Sequence, residues 1–216
     1  EEMNEIEEKE EEELIYRLRI IIIGPDKAGK TTLINKLIRN KEEEEKEEKE
    51  EERKERKEVK RTNNIEIKEW KLITTITTTP TTTTSTSTTN KNKKEIHISF
   101  WDFGSQESYI NTHPILFFDQ TLYFLVFNPQ IEIPTQVLRN YYLNIKSKAP
   151  TAPIILVTTH SSEILLDKNQ IEYLTHEYNY LRYYEIDSIT RKGIDEMREG
   201  IIDLILNEEK LRFSRQ

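Results

Sequence analysis

Eight consecutive residues, Gly24-Pro25-Asp26-Lys27-Ala28-Gly29-Lys30-Thr31, satisfy the pattern G-x-x-x-x-G-K-[ST] at every defined position. A segment of this kind suits the holding of a polyphosphate. Its glycines let the backbone curl until successive N–H groups, those of Asp26, Lys27, Ala28 and Gly29, point at one anion. Lys30 reaches toward the outer phosphates, Thr31 offers a hydroxyl to an octahedral Mg²⁺, and Thr32 stands near the innermost phosphate. A plain glycine turn capped by Thr31 is the bland alternative.

A second group follows about seventy positions on, in Phe100-Trp101-Asp102-Phe103-Gly104-Ser105-Gln106-Glu107. A carboxylate at Asp102 completes a Mg²⁺ site, held through water, and Gln106 is placed to orient a water for in-line attack. Asp-Phe-Gly alone is a weak signal; its value comes from what precedes it.

Both groups need elements to position them. The run Leu18, Ile20, Ile21, Ile22, Ile23 is short, continuous and β-branched, which reads as a strand buried on both faces and ending at Gly24. Leu33, Ile34, Leu37 and Ile38 recur at helical spacing, so a helix opens just after the glycine loop. Strand, loop and helix in that order are the context that a phosphate loop requires, and they weigh against the plain turn. Ile65, Ile67 and Leu72, then Ile96, Ile98 and Phe100, read as two strands paired in a hairpin, the second of which delivers Asp102. Further apolar runs at 122–127 and 154–157, and a candidate at 183–186, alternate with helical patterns. The last helix carries Ile194, Met197, Ile201, Ile202 and Leu204.

This alternation predicts an α/β fold with a mainly parallel six-stranded sheet and helices on both faces, its ligand edge at the strands' C-terminal ends. The 216 residues fit one globular domain over 15–210, between an acidic tail at 1–14 and a short tail at 211–216. Charged residues reach 33% because polarity is concentrated in a Glu/Lys/Arg run at 41–61 and a Thr/Ser-rich run at 74–94, both expected as solvated insertions, the second as a disordered loop.

The net charge of −8 argues against nucleic acid as a partner. The absence of cysteine excludes disulfides and thiolate zinc sites and agrees with the cytoplasm as location. His97, His113, His160 and His176 lack zinc-ligand spacing, and His113 reads more simply as a packing residue. No stretch approaches the ~18 apolar residues of a transmembrane helix. Because the chain opens at Glu1, it is expected to be part of a longer polypeptide.

With these two motifs the chain resembles a small Ras-like GTPase, and within that group the Roc domain of Roco proteins, from about residue 18 to 207. The resemblance includes Thr62-Asn63-Asn64-Ile65-Glu66-Ile67-Lys68-Glu69-Trp70, similar to the stretch carrying the switch I threonine, which makes Thr62 a second Mg²⁺ ligand and a catalytic candidate. Trp101 to Glu107, with Tyr109, Thr112, His113 and Pro114, is similar to the switch II region. A Thr-His-x-Asp sequence reads guanine in the family; here the residues are Thr159-His160-Ser161-Ser162.

The resemblance implies a GTP- and GDP-binding switch with slow Mg²⁺-dependent hydrolysis, acting in signalling beside COR and leucine-rich repeat domains. Two departures qualify it. Ser162 stands where the family's aspartate accepts from the guanine N1 and 2-amino groups, with Glu163 next to it, and Ser105 stands where a glycine N–H senses the γ-phosphate. Ser188, in Asp187-Ser188-Ile189-Thr190, is a loose match to the backbone donor on the base side. A non-catalytic pseudo-GTPase scaffold with weakened guanine selectivity is the competing expectation. An ATP-using P-loop kinase is weaker, since the chain shows no arginine lid and no acceptor site.

Overall fold

A computed structural model describes residues 14–39, 65–78, 90–103, 117–130, 134–162 and 166–207. Six strands and four helices are described: β1 (Leu14–Ile23), α1 (Lys30–Ile38), β2 (Ile65–Thr78), β3 (Asn90–Phe103), β4 (Leu122–Phe127), α2 (Pro134–Lys148), β5 (Ile154–Thr158), α3 (Lys168–Glu177), β6 (Arg182–Glu185) and α4 (Ile194–Asn207). The strands form one sheet in the order β2-β3-β1-β4-β5-β6, parallel throughout except for the antiparallel β2–β3 pair. The expected six-stranded, mainly parallel sheet is thus the observed one.

The centre of the sheet follows from its residues. Strands β4 and β5 are buried at every position, as a strand covered on both faces must be. On one face Leu18, Ile20 and Ile22 of β1 join Leu33, Ile34 and Leu37 of α1 and Ile194, Met197 and Ile201 of α4. On the other, Ile21 and Ile23 join Tyr123, Leu125 and Phe127 of β4 and Leu138, Ile145 and Leu174 from α2 and α3. Tyr142, Tyr178 and Tyr180 contact one another ring to ring at 5.1–6.0 Å, so these tyrosines pack between helices and β6. Among the described residues, no helix is long and apolar enough to cross a membrane.

The hairpin is longer than expected. Its ladder runs from Ile65 opposite Phe103 to Thr78 opposite Asn90, so part of the 74–94 run expected as a disordered loop is strand. Threonine is β-branched and suits an extended backbone, and the ladder pairs the facing N–H and C=O groups of the two strands. Residues 79–89, the charged run at 41–61, the tail at 211–216 and residues 1–13 of the tail expected at 1–14 lie outside the described residues, while Leu14 is already the first residue of β1.

Candidate functional site

The phosphate loop leaves β1 beside β4, its neighbour in the sheet. Gly24 has φ +154°, and a Cβ built there would lie 1.9 Å from the Val126 carbonyl oxygen, so only glycine lets the loop pass this close to β4. The turn back into α1 uses Lys27 at φ 60° and Gly29 at φ 86°, both left-handed. Gly29 is the N-cap of α1 and supplies no side-chain cap, and the first turn of α1 has no acidic residue. The helix therefore opens with N–H groups unanswered by a side-chain cap and with its partial positive charge uncompensated. That end suits an anion.

Lys30 is 7% exposed, and its Nζ donates to the carbonyls of Gly24 at 2.8 Å and Pro25 at 2.6 Å. The ammonium is folded back over the loop that a phosphate would fill. Burial is the largest influence on it and outweighs attraction from Asp102 and Asp26, lowering its pKa to about 8. The Asp26 carboxylate accepts from the Lys27 N–H at 3.0 Å.

Asp102 arrives by register. β3 runs parallel to β1 with Asp102 beside Ile22, two residues before Gly24, so its carboxyl group reaches the same sheet edge. It is fully buried. Its Oδ2 accepts from the Thr31 hydroxyl at 2.5 Å, while Oδ1 is buried with no hydrogen-bond partner. Burial raises its pKa, against the Thr31 hydrogen bond and the positive charges of Lys30 and Lys68. A buried carboxylate oxygen without a donor, next to a threonine hydroxyl, is a hard-oxygen pair that fits Mg²⁺.

A third loop closes the site on its other side. The Thr159 hydroxyl donates to the Ala28 carbonyl at 3.0 Å, and a Cβ at Gly29 would meet the Thr159 methyl at 3.4 Å. The loop after β5 is therefore fastened to the phosphate loop. His160 follows at φ 58°, with Nδ1 3.0 Å from the Thr159 hydroxyl. The Ser162 hydroxyl lies 3.2 Å from that of Thr190, and the Ser162 N–H donates to Asp187 Oδ2 at 3.3 Å.

Asp187 organises this end of the molecule. Its Oδ1 accepts from the N–H groups of Ile189 and Thr190, each at 2.9 Å, which makes an Asx turn of the loop holding Ser188. Burial pushes its carboxyl upward, but the hydrogen bonds from Thr190, Ser162 and Ile189 prevail and hold the pKa at about 2. The Ser188 backbone is the group expected here from the sequence; the Asp187 carboxylate beside it is the residue that holds the loop. The signal was present in the Asp-Ser-x-Thr spacing, which favours such a turn.

The structure thus gathers Gly24 through Thr32, Asp102, Thr159, His160, Ser162 and Ser188 along one edge of the sheet. Thr62, Ser105, Gln106 and Glu163 lie outside the described residues, as do Tyr109, Thr112, His113 and Pro114. His97 is on β3 away from this edge, where its Nε2 lies 2.6 Å from Glu95.

Fold and edge together define an α/β domain of the Ras-like P-loop fold. Residues 72–162 match the family model "Roc: Ras of Complex, Roc, domain of DAPkinase". Over 207 residues, 93% of the chain and the phosphate loop included, it is 26% identical to a Dictyostelium discoideum probable serine/threonine-protein kinase, pats1. It is 30% identical over 132 residues to another from that organism, roco5, and 26% identical over 145 residues to the mouse leucine-rich repeat serine/threonine-protein kinase 1. The chain spans only 5–6% of the length of these relatives. Its fold matches that of Methanosarcina barkeri Roco2 RocCORdC, solved bound to GDP, with TM-score 0.59 and 18% identity, covering 92% of this chain and 52% of that one.

Proposed function

We propose that this chain binds Mg²⁺-GTP and GDP as a Roc-type switch module and hydrolyses GTP slowly. The observation that carries the reading is Asp102: buried, delivered beside the phosphate loop, bonded through one oxygen to Thr31 and without a donor on the other. The GDP in the Methanosarcina relative supports the choice of guanine nucleotide.

On this reading Lys30 leaves the Gly24 and Pro25 carbonyls and turns to the β- and γ-phosphates. The N–H groups of residues 26–29 and the opening of α1 then answer the remaining phosphate oxygens. Thr31 and Asp102, with Thr62 from the switch I side, would hold Mg²⁺, which would neutralise phosphate charge when bound. Gln106 orients the attacking water, and the backbone at Ser105 senses the γ-phosphate. Thr159 keeps the base-side loop in register with the phosphate loop, and the Ser188 N–H faces the base. Neighbouring COR and leucine-rich repeat domains, a signalling role and a cytoplasmic location belong to the same proposal.

One observation favours a second reading. Ser162 offers the base a neutral hydroxyl, already within reach of Thr190, and the carboxylate beside it, Asp187, is committed to its own turn. A scaffold with weak guanine selectivity would be built this way. Steady-state hydrolysis and thermal shift together separate the two. Phosphate release from GTP, with a Tm increase from Mg²⁺-GTP that Mg²⁺-ATP does not match, supports the switch. Equal shifts, or none, with no phosphate released would support the scaffold.

A further inference from the structure

We propose that β2 is a self-association edge, through which two copies of this chain pair antiparallel about a two-fold axis at Trp70 to form one continuous twelve-stranded sheet. The inference is independent of the nucleotide reading.

β2 is the end strand of the sheet and fourteen residues long; among the described residues, nothing pairs with its outer edge. An edge of that length is a template for another strand unless its side chains forbid one. Like charges along it would do so. The sequence of β2 does the opposite.

The register of β2 on β3 fixes which side chains share a face: Ile67, Glu69, Lys71 and Ile73 stand opposite Trp101, Ser99, His97 and Glu95. On that face Ile67 is 51% and Ile73 68% exposed, and Glu69 and Lys71 are exposed between them. The order Ile, Glu, Lys, Ile is complementary to its own reverse. A second β2 laid antiparallel with Trp70 opposite Trp70 puts Ile67 against Ile73, Glu69 against Lys71, Lys71 against Glu69 and Ile73 against Ile67. Two exposed isoleucine pairs cover each other, and two opposite-charge pairs sit at cross-strand distance between them.

No neighbouring register offers this. Centring the axis on Glu69 sets that carboxylate against its own copy and Ile67 against Lys71. Centring it on Lys71 opposes two ammonium groups and sets Glu69 against Ile73. On the other face the Trp70 register places Lys68 against Leu72 and Glu66 against Thr74, so no like charges meet there either. The occupant that fits this edge is therefore a second copy of the chain.

Sedimentation equilibrium of the 216-residue chain tests the idea. The expected result is a monomer–dimer equilibrium that Glu69→Lys weakens roughly tenfold, because it opposes two Lys–Lys pairs. Lys71→Glu should weaken it similarly through two Glu–Glu pairs, and the combined exchange should restore it. A monomer throughout the concentration range, or single variants that associate as the parent does, would overturn it. Far-UV circular dichroism and Tm confirm that each variant folds. Because the chain has no cysteine, crosslinking gives a second reading. A mixture of Ile67→Cys and Ile73→Cys chains should form a disulfide heterodimer far faster than either variant forms a homodimer, and equal rates would contradict the register.

Discussion

Lys30 holds two carbonyls of its own loop, and burial depresses its pKa to about 8. The sign of the resulting pH dependence is fixed. Below about pH 8 the ammonium is already charged, and a phosphate gains its full attraction. Above it, binding must first take up a proton, so nucleotide affinity measured by calorimetry should be flat between about pH 7 and 8, where the terminal phosphate is fully ionised, and fall as pH rises beyond. An affinity flat to pH 10 would mean that Lys30 does not meet the phosphates. Ser162 carries the second prediction at this scale. Restoring a carboxylate by Ser162→Asp supplies charge-assisted acceptors to guanine that adenine cannot use, worth about 1.5–3 kcal/mol. The ratio of ATP to GTP dissociation constants should rise roughly tenfold or more; an unchanged ratio would show that the base does not sit against residue 162.

At the scale of elements, the site depends on two tight loops. A methyl at Gly24 collides with the β4 backbone, which cannot yield without moving the sheet, whereas one at Gly29 meets only a threonine methyl at ordinary contact distance. Gly24→Ala should therefore lower stability by at least about 2 kcal/mol in urea unfolding, and more than Gly29→Ala does. The loop after β6 depends on Asp187, whose folded pKa lies below the ordinary aspartate range. A depressed carboxyl stabilises the fold above its unfolded pKa, near ~4, and loses that contribution as pH falls toward about 2. Asp187→Asn should be less stable than the parent at pH 7, and the gap should close between pH 4 and 2; a gap constant with pH would remove the carboxylate from the account. These elements were not equally legible. The central strands declared themselves through continuous apolar runs at 122–127 and 154–157, and the phosphate loop through its glycines and Lys30. The composition of the Thr-rich extension of β2 signals low complexity, while β-branching and a partner strand decide its structure. The turn at Asp187 is legible in its Asp-Ser-x-Thr spacing, whereas its bond from the Ser162 N–H, 25 residues away, is a contact that only the β5–β6 pairing creates.

Across the whole molecule, one mainly parallel sheet places the ends of β1, β3, β5 and β6 along a single edge, and the proposed nucleotide site runs the length of it. Phosphates would lie over α1, the metal beside Asp102, and the base between Thr159 and Ser188. The opposite feature of the sheet, its long β2 border, is where a second copy would join. Sequence patterning revealed the phosphate half of the site because that half rests on backbone conformation, which glycine spacing betrays. The base half rests on side chains from two distant loops, which only the folded sheet brings together. The most direct test of the central claim is to purify the chain natively with Mg²⁺, denature it, and identify any released nucleotide by chromatography, with Lys30→Ala as control. The account predicts guanine nucleotide from the parent protein and none from the variant. Contradiction would come from a parent that releases no nucleotide and takes up none when Mg²⁺-GTP is added, or from one that carries adenine nucleotide instead.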